Sequence, residues 1–141
     1  MRKSFKGTMK SGAQEQINLS TIKGKVGYKI VKFAIMGRTP GANSQECIVK
    51  VFNQFQSTID GVVEFVNGDL LAAAIWFNKS TIDYPVSEQV IFDLEVFNQD
   101  IFVTAIDLED AASVNYYLEL EVIPLSEEGA EYTTIKDIRS N

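Results

Sequence analysis

The sequence has no histidine, one cysteine (Cys47), three prolines and one tryptophan (Trp76) among its 141 residues. Each shortage excludes something. Without histidine, neither a Ser-His-Asp nor a Cys-His nucleophile system can form, and a zinc site of the usual Cys/His type cannot be assembled. A single cysteine closes no disulfide within the chain. No glycine loop of the GxGxxG or GxxxxGK kind is present to cradle a phosphate. No apolar run reaches the ~18 residues of a membrane span; the longest is Leu70-Leu71-Ala72-Ala73-Ala74-Ile75-Trp76-Phe77. The basic stretch Met1–Gly7 is not followed by an apolar h-region, so no secretion signal and no membrane partner are expected, and a reducing compartment is. The sequons Asn18-Leu19-Ser20 and Asn78-Lys79-Ser80 carry little weight without such a signal.

What remains is ordinary globular composition. Hydrophobic residues make up 45% and charged residues 23%, and the length suits one domain. The charge is uneven. Residues 1–50 hold ten basic and two acidic residues, a net +8, whereas residues 51–141 hold three basic and seventeen acidic, a net −14. Three arrangements would use this split: head-to-tail assembly, a basic arm on an acidic partner or nucleic acid, or pairing of the two halves as neighbouring strands of one sheet. The last is the simplest, because solvent faces of sheets commonly mix charges.

Residues 1–16 read as a flexible basic arm, rich in Ser, Gly, Lys and Gln and without periodicity. Its cations Arg2, Lys3, Lys6 and Lys10 are the candidate interaction residues. Residues 17–141 read as the folded domain. Val26, Tyr28 and Ile30 begin a long alternating strand that continues through Phe33 and Ile35, and Cys47, Val49 and Val51 mark a second. Val62–Val66 is a short strand between the turn signals Asp60-Gly61 and Asn67-Gly68. Leu70–Phe77 is ambiguous, its alanines allowing a helical turn and Ile75-Trp76-Phe77 favouring a strand. Further strands are expected from Val90 to Phe97, over Ile101–Ile106, from Val114 to Val122, and over Tyr132–Ile138, with a loop or single helical turn at Asp107–Ser113. The expected fold is therefore all-β: an antiparallel, jelly-roll-like β-sandwich of about eight strands with an extended N-terminal arm.

Few residues offer chemistry. Asp107-Leu108-Glu109-Asp110 could present carboxylates to calcium, but lacks the spacing and glycine of an EF-hand loop. Glu119 and Glu121 share one strand face at a separation of ~7 Å, within the range of glycosidase carboxylates, yet an ordinary solvent face explains them better. Cys47 alternates in phase with Val49 and Val51 and reads as a small buried hydrophobe. Trp76, Phe92 and Tyr116 are expected in the core, and the competing reading is a stacking platform for sugars or bases formed by Trp76 with Phe77 or by Tyr116 with Tyr117. The body is acidic and has no basic aromatic strand motif, so nucleic acid is not an expected partner. No catalytic residue, metal or cofactor is expected.

Four stretches carry a resemblance: Val26-Gly27-Tyr28-Lys29-Ile30-Val31-Lys32-Phe33, Val90-Ile91-Phe92-Asp93, Phe97-Asn98-Gln99-Asp100-Ile101-Phe102-Val103-Thr104 and Val114-Asn115-Tyr116-Tyr117-Leu118-Glu119-Leu120-Glu121. Over roughly residues 17–125 the chain resembles a group of small virion proteins of tailed phages, above all those of marine bacteria. The motifs are strand and turn patterns, and they bring no functional residues with them. The resemblance implies a non-enzymatic building block of a virus particle, assembled in the host cytoplasm, such as a capsid decoration (cement) protein. Its partners would be capsid or other virion proteins and copies of itself. The alternative is a β-sandwich recognition module that binds host-surface glycans.

Overall fold

The computed structural model describes residues 1–19, 26–92 and 94–124. They form eight strands: β1 (Arg2–Met9), β2 (Gln14–Ile17), β3 (Val26–Gly37), β4 (Gln45–Phe52), β5 (Leu70–Asn78), β6 (Val86–Ile91), β7 (Ile101–Asp107) and β8 (Val114–Pro124). Two antiparallel sheets result, one of three strands in the order β1-β8-β3 and one of five in the order β2-β7-β4-β5-β6. The chain is an all-β sandwich. No described residue lies in a helix, so none crosses a membrane as one.

The pairing is nested. β1 pairs with β8, β2 with β7, and β4 with β5. Between the last two, Tyr28 of β3 exchanges both backbone hydrogen bonds with Phe97, at 2.7 and 2.9 Å. This long antiparallel hairpin then folds across itself, so that β8 also pairs with β3 and β7 also pairs with β4. That is the rolled hairpin of a jelly roll. The strand after β5 accordingly serves both sheets. Val86–Ile91 pairs with β5, and Phe97, farther along the same segment, reaches β3.

The expected arm is a correction. Residues 2–9 are not a flexible segment but the edge strand of the smaller sheet, in unbroken register with β8 from Arg2↔Glu121 to Met9↔Val114. Gly12, at φ +83°, turns the chain from one sheet into the other, and its N–H donates to Ala105 O at 2.8 Å. Residues 14–17 then pair with β7. Three other expectations shift. Leu70–Phe77 is a strand. Val62–Val66 is not one, and lies in the irregular connection between β4 and β5. The strand expected from Val90 to Phe97 begins earlier, at Val86, and leaves its sheet after Ile91. The expected strand over 132–138 falls outside the described residues.

The core lies between the sheets. Tyr28, Ile30, Phe33, Leu118 and Leu120 from one side meet Val49, Val51, Ile101 and Val103 from the other, all nearly or fully buried. A register slip between Ile30 and Lys32 lets Ile30 and Phe33, an odd number of residues apart, both face inward. The middle of the larger sheet is buried on its outer face as well, where Ile48, Lys50 and Ala73 lie under the connection formed by residues 53–69. Double burial explains why β5 reads as a continuous apolar run rather than an alternating one.

Candidate interaction surface

The four candidate cations are strand residues or adjoin one. Arg2 approaches Glu119 at 3.8 Å, and Lys3 lies 5.7 Å from the centre of the Tyr28 ring. Lys6 is exposed and lines a shallow depression with Thr8, Met36, Asn115 and Tyr117 on the outer face of the smaller sheet. Lys10 is exposed just after β1. On the other side of β8, Lys29 pairs with Glu121 at 3.4 Å, and Lys32 sits 5.7 Å over the Tyr117 ring. Much of the charge split is thus met within the monomer, with acidic β8 between basic β1 and basic β3. Such half-exposed pairs fix register more than they stabilise. They also occupy Glu119 and Glu121, the two carboxylates with glycosidase-like spacing.

The remaining candidates have structural work. Asp107 is buried, and its Oδ1 accepts from the Glu46 and Glu109 N–H groups at 3.0 Å each. Its Oδ2 accepts from Ala112 N–H at 2.9 Å. Burial alone would raise this carboxyl's pKa, but backbone N–H donors from Glu109, Glu46, Ala112 and Asp110 hold it below the usual range. Asp107 ties the β7–β8 loop together, and both of its oxygens are taken.

Cys47 is fully buried, and burial, reinforced by the Asp107 charge, pushes its thiol up to about 11. Trp76 is in the core, donating from Nε1 to Gln45 Oε1 at 2.8 Å. A Cβ at Gly37 would stand 2.5 Å from that same Gln45 oxygen, so the pair requires glycine there. Tyr116 is also core, and its hydroxyl donates to Glu15 at 2.9 Å; burial and this contact raise its pKa. Phe92 differs from expectation. It is only half-buried and packs edge-on against Phe65, outside the sandwich, at 5.4 Å. The sequon residue Asn78 is buried, its amide donating to Pro40 O and Ala42 O.

The surface that sequence patterning missed is built by residues 53–69. Lys50 anchors this segment from beneath. Its side chain is 7% exposed, and its ammonium donates to Val62 O at 2.6 Å and Asp60 Oδ1 at 3.1 Å. Gln14 and Gln56 exchange two hydrogen bonds, of 2.8 and 2.9 Å, and Phe55 packs edge-on against Phe102. Held this way, the segment turns apolar side chains outward: Phe65 is 58% exposed and Val66 93%. Val63, Phe65, Ile48, Ile75 and Val90 line an open groove of about 280 Å³ between the segment and β6. Gly61 sits against Leu108, which extends the apolar surface past β4. β6 is the outer strand of its sheet, and Val86 to Val90 are all exposed.

No protein-family model matches the chain, and no similar curated protein is found.

The chemistry of this face is therefore read from its residues. Apolar side chains sit beside a strand edge, with the single carboxylate of Glu88 at the groove's rim. Monomeric proteins rarely leave a contiguous apolar surface of this kind uncovered, and among the described residues no strand pairs with the outer edge of β6. A hint was legible in Val62-Val63-Glu64-Phe65-Val66. Its apolar residues occupy both parities, which neither a half-buried strand nor a polar loop requires.

Proposed function

We propose that this chain is a non-enzymatic structural subunit of a virus particle, a capsid decoration or other assembly protein that works by protein–protein contact. The observation that carries the reading is the apolar groove beside the open edge of β6, rimmed by exposed Val63, Phe65 and Val90. The fate of the candidate carboxylates supports it. Glu119, Glu121 and Asp107 are committed to ion pairs and backbone donors rather than converging on a cleft. The jelly-roll pairing belongs to an architecture that viral shells use, although fold alone does not fix function. Burial of Trp76 and Tyr116 leaves only half-buried Phe77 and Tyr117 for a stacking platform, which favours assembly over glycan recognition.

The test is composition of the particle. Particles purified from cells carrying the genome that encodes this chain should contain it in fixed proportion to the main shell protein. Phe65→Asp, at an exposed position, should fold and yet be depleted from particles. Absence of the wild-type chain from purified particles would refute the reading. Wild-type binding to host-surface glycans without particle association would establish the alternative.

A further inference from the structure

We propose that copies of this chain join head to tail, with the open edge of β1 in one copy adding to the open edge of β6 in the next. The proposal rests on the assembly reading above and names the partner as a second copy. Among the described residues, β1 ends the smaller sheet and β6 ends the larger one, so each offers a row of backbone groups on its outer side. The eight residues of β1 are long enough to cover the six of β6. Augmentation of this kind takes its affinity from main-chain hydrogen bonds and its specificity from the side chains on each face.

Those side chains select the pairing. The outward set on β1 is Arg2, Ser4, Lys6 and Thr8, and on β6 it is Val86, Glu88 and Val90. Laying the two strand centres together puts Lys6 beside Glu88, with Ser4 and Thr8 near the valines. A two-fold β6–β6 contact would instead set Glu88 against Glu88, and a β1–β1 contact would bring two basic strands together. Like charges opposite one another destabilise a strand pair. Opposite charge therefore favours the heterologous contact, which generates rings or filaments rather than a closed dimer. The apolar groove at Val63 and Phe65 lies alongside the joint and would be covered by the incoming sheet.

Two experiments test this. Ser4→Cys and Val90→Cys place thiols on exposed, outward positions that the proposed register sets side by side on β1 and β6, while Cys47 is buried and does not compete. With a short bis-maleimide linker, a mixture of the two variants should cross-link, and neither variant alone should. Sedimentation of the full chain should show association that weakens with added salt. Lys6→Glu and Glu88→Lys should each weaken it about tenfold, and the double variant should recover it, because both partners of the contact then change sign. Circular dichroism of each variant verifies that the exposed substitutions leave the fold intact. Equal cross-linking within single-variant solutions, no recovery in the double variant, or a monomer at every salt would overturn the proposal. A chain that fails these tests yet is found in particles would leave the assembly reading standing and place its partner elsewhere.

Discussion

Asp107 is the most economical place to test how this sandwich is held together. Three of the backbone donors to its carboxylate are Glu46 on β4, Glu109 in its own loop and Ala112 at the approach to β8. Its own N–H donates to Ser11 Oγ at 2.8 Å, between β1 and β2. Four parts of the chain meet at one buried residue. Asp107→Asn keeps an oxygen for the two Oδ1 bonds but points an amide N–H₂ at the Ala112 N–H. A hydrogen bond to a charged group contributes about 1.5–3 kcal/mol and a neutral one about 1. The substitution should therefore cost about 2–3 kcal/mol, and Asp107→Ala, which orphans all three donors, about 4–5. For a domain of this size the asparagine variant should melt about 6–10 °C lower.

The pH dependence supplies a second, independent signature. The folded carboxyl titrates below its unfolded value of about 3.9. Its stabilisation is therefore complete above that value and is lost as pH falls through the folded pKa. Urea unfolding at pH 7 should show the full gap between wild type and Asp107→Asn. The gap should close steadily below about pH 4. A gap under about 0.5 kcal/mol at pH 7 would refute the account, as would one that stays constant into acid.

Two further outcomes follow from single contacts. Lys50→Met should loosen residues 53–69 without unfolding the sandwich: their amides should exchange at least about tenfold faster, since two charge-assisted hydrogen bonds are lost, one of them to a half-exposed carboxylate, and the depressed Asp60 pKa, which Lys50 lowers first by hydrogen bonding, should rise toward its ordinary value in a carboxylate titration. Gly37→Ala should cost about 1–3 kcal/mol by overpacking and shift Trp76 fluorescence, because the new Cβ would meet Gln45 Oε1 at 2.5 Å and Trp76 Nε1 at 2.9 Å; unchanged stability and emission would show that the pair moves aside freely.

How much of this was readable from residues depends on where each strand's order comes from. β8 announces itself because one face is core and the other meets water, so its alternation is clean, whereas β7 does so as a short run of Ile, Phe and Val. β1 does not. Its inward residues are Lys3, Phe5, Gly7 and Met9, only two of them large and apolar, so its period-2 pattern is nearly silent. What orders β1 is β8, more than a hundred residues away in the chain, and local patterning does not register such pairing. β3 was readable although its parity changes at the slip after Ile30, because both sides of the slip are apolar. The segment from Val90 to Phe97 misled for the opposite reason. Its alternation is real, but the chain uses it to pass from β5 toward β3, not to lengthen one strand. The candidate surface was least legible of all, since it depends on a buried lysine fastening a loop across a sheet.

The nested topology also changes what the charge split means. When β1 pairs with β8 and β2 with β7, the first half of the chain is interleaved with the second. A gradient of charge along the sequence then becomes an alternation of charge across a sheet, here basic β1, acidic β8 and basic β3. In a nested fold, an asymmetry of +8 against −14 is therefore not in itself a sign of intermolecular contact. The informative charges are those that the nesting leaves over. Interior strands have neighbours on both sides and edge strands have one, so an edge strand can keep charge that no neighbouring strand matches. At β1 that surplus is basic, and at β6 it is the carboxylate of Glu88. The proposed edge contact therefore predicts that association responds to charge reversal at Lys6 and Glu88 before it responds to reversal at Glu119 or Glu121, which are paired within the sheet.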